Sequence, residues 1–308
     1  MPKVNWNHVL YIIGCGGWGT RFSIGAKPQV PKVLFRLDDH GHTTLEYHLR
    51  AVPIGASIGL ATGRWRRAIR SYLEGHGYFG HHRFRVIWIP ERYRSPVRSH
   101  GGEAPRWPMG AAAWLLYERM VARAEAAAGG RLVVQTAGNK LGFRRSVVER
   151  MLGEITPTTA DCVAATLDLD TAETAGNVLA QYDFVREGKV LLKGHASPGG
   201  KALAYWYVFT RPWMHRLLRQ DLRSRILDDA RRYPERRRWR DQGRNAEVDI
   251  VDISFPRILR HMPFRTIGWS GAVSDWGMEM RTREDIRRCS VLFGKREREG
   301  LLRRNDGR

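Results

Sequence analysis

A short apolar run that breaks into a cluster of glycines sets the tightest limit on this chain. Residues 8–13, H-V-L-Y-I-I, are rich in β-branched and bulky side chains and read as a buried strand. The run ends in Gly14-Cys15-Gly16-Gly17-Trp18-Gly19. Glycines there permit positive φ and let a ligand come close to the main chain. Successive exposed N–H groups in such a loop form a nest for an anion. Thr20 adds a hydroxyl, and Arg21 adds a planar fork of donors suited to phosphate. The bland reading is a tight turn followed by a solvated arginine. The glycines at 14, 16, 17 and 19 do not have the G-x-G-x-x-G spacing, and no G-K-[ST] follows.

Downstream, strand and helix signals alternate. The stretch P-K-V-L-F-R-L at 31–37 reads as a second short strand, 44–52 as a helix and 55–61 as a strand. Residues 63–74 read as a helix with Trp65, Ile69, Tyr72 and Leu73 along one stripe. Strands over 85–90 and 132–135 enclose a polar loop at 91–108 and an alanine-rich helix at 110–128. Residues 160–167 read as a strand, and 181–186 with 189–192 as a hairpin turning at Glu187-Gly188. An aromatic strand ending at Phe209 follows, its rings mostly core, then a long charged helix over 212–233. Residues 234–245 read as a polar basic loop, 255–262 as a short helix and 282–291 as a helix; the last residues read as a charged helix or a frayed tail. Alternation of this kind predicts an α/β sheet. No repeat of 20–50 residues is visible.

At 308 residues the chain can bury a sizeable core. No apolar run approaches the roughly 20 residues of a membrane span. No secretory leader opens it, and Cys15, Cys162 and Cys289 are odd in number and far apart. That pattern fits a reducing cytoplasm better than a disulfide framework or a zinc site. The formal charge of +21 attracts polyanions, nucleotides included. Lysine supplies only eight of the 52 basic residues, so 44 are arginines, spread along the chain as a composition bias. Dispersed arginines give salt-sensitive attraction to nucleic acid, not selective recognition, so a nucleic-acid partner is disfavoured. In such a chain a retained lysine points to a compact ammonium, as at Lys27, Lys32, Lys193 and Lys201.

Three stretches in order, G-G-W-G-T-R-F at 16–22, P-K-V-L-F-R-L at 31–37 and T-L-E-Y-H-L at 44–49, resemble the opening of the sugar-1-phosphate nucleotidyltransferases, or nucleotide-sugar pyrophosphorylases. The resemblance implies an α/β, Rossmann-like three-layer sandwich with a mixed, mostly parallel central sheet, of the nucleotide-diphospho-sugar transferase type. It implies one domain over 1–292, with a nucleotide-binding half at about 1–140 and a sugar-phosphate half at about 141–292, and a charged tail at 293–308. The implied reaction moves NMP from an NTP to a sugar 1-phosphate, releases pyrophosphate and uses Mg²⁺. A homo-oligomer is compatible with it.

Site residues carry over position by position. Gly16, Gly17, Trp18, Gly19 and Thr20 match the loop that cradles the triphosphate, and Arg21 and Lys32 the catalytic cations. Gly110, in P-M-G, matches the glycine beneath the base. In V-V-Q-T-A-G-N at 133–139, Asn139 stands where the family has its first metal-holding aspartate. Lys193, in L-K-G where the family has E-K-P, matches the sugar-phosphate lysine, with Lys201 as a second candidate. Asp275 matches the second metal aspartate, although Trp276 and Met278 depart from the pattern around it. An amide oxygen ligates a hard cation without charge, so two other readings stay open. One is nucleotidyl transfer to another phosphorylated molecule (a cyclitol, choline or a phosphonate). The other is a catalytically weak relative that only binds nucleotide, RNA or a protein.

Overall fold

The computed structural model describes residues 4–15, 30–62, 65–78, 85–90, 122, 131–141, 145–155, 160–168, 183–192, 201–233, 235–241, 244–250, 254–270 and 285–302. In chain order the elements are β1 (Val9–Gly14), a 3-10 turn (Lys32–Leu34), α1 (Thr44–Ala51), β2 (Ser57–Thr62), α2 (Arg66–Gly75), β3 (Arg85–Pro90) and β4 (Leu132–Ala137). Then come α3 (Arg145–Gly153), β5 (Cys162–Asp168), β6 (Phe184–Arg186), β7 (Lys189–Leu191), β8 (Lys201–Thr210), α4 (Arg211–Leu217) and α5 (Gln220–Arg232). The last are β9 (Glu235–Asp241), β10 (Arg244–Ile250), α6 (Phe255–Leu259), β11 (Arg265–Ser270) and α7 (Asp285–Arg298).

Every residue from Val9 to Ile13 is buried. The reason is that β1 is paired in parallel on both sides, with β2 from Leu10↔Ser57 and with β4 from Val9↔Leu132. Strands covered on both faces are apolar throughout. Val9, Tyr11 and Ile13 join one core with residues of α1, α2, α3 and α7, while Leu10 and Ile12 join a second with residues of α4, α5 and α6. The sheet is therefore the middle of three layers. Its order is β11-β5-β8-β4-β1-β2-β3, and within this path β8 alone runs against its neighbours β4 and β5. This is the mixed, mostly parallel α/β sandwich expected.

Three local expectations are corrected. Residues 31–37 form no strand: a 3-10 turn follows Pro31, and Arg36 only bridges Thr43. Val33 and Leu37, four apart, both turn into the core. The single helix expected over 212–233 is two, because Arg219 is extended (φ −64°, ψ 137°). From Leu217 to Leu222 the buried positions are five apart, out of phase with a 3.6-residue turn, and the break restores both to one core. The basic loop expected at 234–245 is largely the β9–β10 hairpin, a separate two-stranded sheet pairing Arg236↔Asp249 and Arg238↔Glu247. Charge in place of apolar alternation hid the strands. The helix expected at 110–128 lies outside the described residues, apart from residue 122.

α7 is fastened to α1 and to the turn before it. The Phe293 ring stacks on His42 at 4.4 Å between centroids, and His42 Nδ1 lies 2.7 Å from Asp38 Oδ2. The Arg50 guanidinium lies 5.3 Å from the centre of the Phe293 ring and bonds Glu297, whose carboxyl it holds below the usual range. Of the two readings for the charged C-terminal segment, helix holds through Arg298, with Phe293 and Arg296 fully buried.

Candidate functional site

The chain lays β2 and β3 to one side of β1, then returns to place β4 on the other. In open α/β sheets ligands bind at that reversal, outside the carboxyl ends of the strands. Here the reversal is tightly built. Gly138 N donates to the Gly14 carbonyl at 2.9 Å, and Cys15 N to the Ala61 carbonyl at 2.8 Å. A Cβ on Gly138 would meet Gly14 O at 2.8 Å, Val33 Cγ1 at 3.0 Å and Ile13 Cγ2 at 3.2 Å. The ends of β1 and β4 and the 3-10 turn therefore touch around one missing methyl group. Lys32 and Asn139 are the chain neighbours of Val33 and Gly138 at this junction.

The N-terminus of α1 secures the 3-10 turn. Thr43 Oγ1 accepts from Glu46 N at 3.1 Å, and Thr44 Oγ1 donates to the Val33 carbonyl at 3.3 Å. Lys32 is half-buried, and its charge is felt at Cys289 of α7. Burial, with Asp285 adding to it and Lys32 opposing, pushes the Cys289 thiol up to about 12. That removes Cys289 as a nucleophile near neutrality.

His48 of α1 supports the turn that follows β4, at Ala137 and Lys140. It is fully buried, and desolvation lowers its pKa to about 4, with backbone hydrogen bonding at Lys140 and Ala137 opposing the shift. The imidazole is thus neutral in the fold and braces the segment carrying Asn139. A depressed histidine destabilises the fold wherever the unfolded chain takes up the proton first. Stability should fall as pH drops from 6.5 towards 4, by up to about 3 kcal/mol. Asp38 and Glu297, whose pKa values are lowered from 3.8 and 4.5, begin to lose their contribution as pH approaches those values and lose it fully below them, in the wild type and the variant alike. Urea midpoints at pH 7.5 and 4.5 should therefore differ less for His48→Gln than for the wild type; parallel profiles would remove His48 as the cause.

Of the candidate site residues, Lys32 and Asn139 lie next in the chain to Val33 and Gly138, which meet at the strand ends. Lys201 opens β8 on the same carboxyl edge, exposed and paired with Val185 of β6. Gly16, Gly17, Trp18, Gly19, Thr20, Arg21, Gly110, Lys193 and Asp275 lie outside the described residues, as does Lys27. Gly138, His48, Lys140, Asp183 and Tyr205 were not anticipated. Lys140 carried a readable signal, being one of only eight lysines.

Among the described residues no three or more His, Cys, Asp or Glu side chains gather as a metal would need. Asn139 offers one neutral oxygen at the strand end. An amide oxygen is a hard donor of the kind Mg²⁺ takes beside carboxylates and substrate phosphates. No described helix is long and apolar enough to cross a membrane. All three cysteines are buried and free of disulfides.

No family model and no curated protein matches the sequence. Among solved structures, a Bacillus anthracis protein assigned as a glucose-1-phosphate thymidylyltransferase, crystallised with sucrose, is similar in fold. The TM-score is 0.53 at 14% identity, over 92% of this chain and 95% of that one. At this identity the likeness is one of fold: along nearly its whole length the chain shares the α/β architecture of that protein.

Proposed function

We propose that the chain is a nucleotidyltransferase that moves NMP from an NTP to a sugar 1-phosphate and releases pyrophosphate. The observation that carries this reading is the junction of Gly14, Val33 and Gly138 at the sheet's reversal point, with Lys32 and Asn139 each one residue from it in the chain. The shared fold with a thymidylyltransferase supports it. The nucleotide side would be about 1–140 and the acceptor side about 141–292.

An acceptor phosphate oxygen attacks the α-phosphorus in line, the bond to the bridging oxygen breaks and pyrophosphate departs. No covalent enzyme intermediate is required, so the protein's task is positioning and charge stabilisation. Backbone N–H groups of Gly16 to Thr20 hold the triphosphate, and Gly110 leaves room for the base. Arg21 and Lys32 take up charge developing on the α-phosphate and the leaving group. Lys193 binds the acceptor phosphate, with Lys201 as a second candidate. Asn139 and Asp275 would hold Mg²⁺, which when bound supplies further neutralisation of phosphate charge.

The test is a screen of four triphosphates against a panel of sugar 1-phosphates, glucose 1-phosphate included, with pyrophosphate release as readout. Cyclitol, choline and phosphonate phosphates extend the panel to other acceptors. Metal titration then examines the site. Asn139→Asp should tighten apparent Mg²⁺ affinity roughly tenfold, because it adds a charged ligand, and Asp275→Ala should abolish turnover. Unchanged metal dependence together with an active Asp275→Ala would overturn the metal assignment. A wild type that binds triphosphate and turns over nothing would leave a binding protein instead.

A further inference from the structure

We infer that Lys140, Tyr205 and Asp183 form a positioning relay that holds the acceptor side of the site in register with its nucleotide side. The inference rests on the nucleotidyl-transfer reading. The Lys140 side chain is buried, and its Nζ lies 3.9 Å from the centre of the Tyr205 ring. The Tyr205 hydroxyl donates to Asp183 Oδ2 at 2.6 Å, and Asp183 is itself buried. A cation on the ring face and a carboxylate on the phenol reinforce one another: the short, charge-assisted bond enriches the ring that attracts the ammonium.

Each member stands on a different piece of the molecule. Lys140 follows Asn139 in the turn held by Gly138 and His48. Asp183 immediately precedes β6, in the hairpin that leads towards 193, and its carbonyl accepts from Leu203 N at 2.8 Å. Tyr205 stands in a bulge, where β8 advances from Leu203 to Tyr207 while β5 moves only from Thr166 to Ala164. Its φ of 59° lies in the left-handed region that bulky residues avoid, so the surroundings impose it. The bulge aims the ring between the Asn139 turn and the hairpin. With both joined to one strained residue, neither can shift alone, and the spacing between the triphosphate and the acceptor phosphate is set across the trio. In-line transfer is sensitive to that spacing.

The test uses two variants of the full chain. Tyr205→Phe keeps the ring and the ammonium contact but loses Asp183; Lys140→Met keeps aliphatic bulk but loses the charge. Kinetics would be measured for the best substrate pair from the screen, and calorimetry would follow sugar 1-phosphate and triphosphate binding separately. The expected result is a rise of about tenfold or more in sugar-phosphate KM and Kd for Lys140→Met, a smaller rise for Tyr205→Phe, and triphosphate values held within about twofold. Equal weakening towards both substrates, or a fall in Tm with both affinities intact, would overturn the relay. If Lys140→Met does not fold, Tyr205→Phe, which deletes one oxygen, decides alone. A wild type that binds sugar phosphate without transfer overturns the reaction, and selective weakening in the variants still upholds the relay. A wild type that transfers, with unaltered variants, removes the relay alone. A wild type that binds neither substrate removes both.

Discussion

Lys32→Ala should lower nucleotidyl transfer by about 10²-fold or more while leaving Tm nearly unchanged, and Arg21→Ala should do the same, since each removes one charged contact made to the transition state. The expectation for Lys32 rests on its position beside Val33, in a turn locked to Gly138 and to the start of α1. The turn is held by the apolar neighbour and by backbone groups, so removing the half-buried ammonium takes away charge without loosening the support. The two effects separate in one experiment: turnover by pyrophosphate release, and stability by thermal melting. Wild-type turnover in both variants would remove the two cations from the mechanism. A large loss of Tm in Lys32→Ala would instead make that lysine part of the fold.

Gly138→Ala is expected to cost about 3 kcal/mol of stability, at the upper end of overpacking effects, and to depress turnover by about 10²-fold through displacement of Asn139. The added Cβ meets a backbone carbonyl, Gly14 O, at 2.8 Å, and two branched side chains on either side of it. A flexible side chain could swing away, but the carbonyl belongs to a strand paired on both sides and cannot. Gly153→Ala, at the end of α3 with nothing within 4 Å of its Cβ, is the control and should be neutral or slightly stabilising. A Gly138→Ala protein with the melting temperature and activity of the wild type would show that the strand ends are less tightly joined than described.

The fold was legible where a segment's pattern is local. β1 announced itself by an unbroken apolar run, the β6–β7 hairpin by Glu187-Gly188 between two short apolar pairs, and α1 by its T-L-E-Y-H-L stretch. Segments whose state depends on a neighbour were misread. The β9–β10 hairpin carries charge where strands usually carry apolar alternation, so its antiparallel pairing, Arg236 opposite Asp249, left no local signal. The 31–37 segment has the composition of a strand, but Pro31 and the packing of Val33 against Gly138 turn it into a 3-10 step.

The sequence by itself determined the buried strand, the run of glycines that follows it and the short apolar stretch after Lys32. Those depend on residue types at short separations. Only the tertiary structure decided that residues 14, 33 and 138 meet around one missing methyl group. It alone placed His48 beneath the Asn139 turn as a neutral ring, and Lys140 over a tyrosine 65 positions later. These relations are set by strand order, by the reversal at β1 and by the bulge in β8. None has a local period or spacing, because the groups involved become neighbours only when the sheet closes.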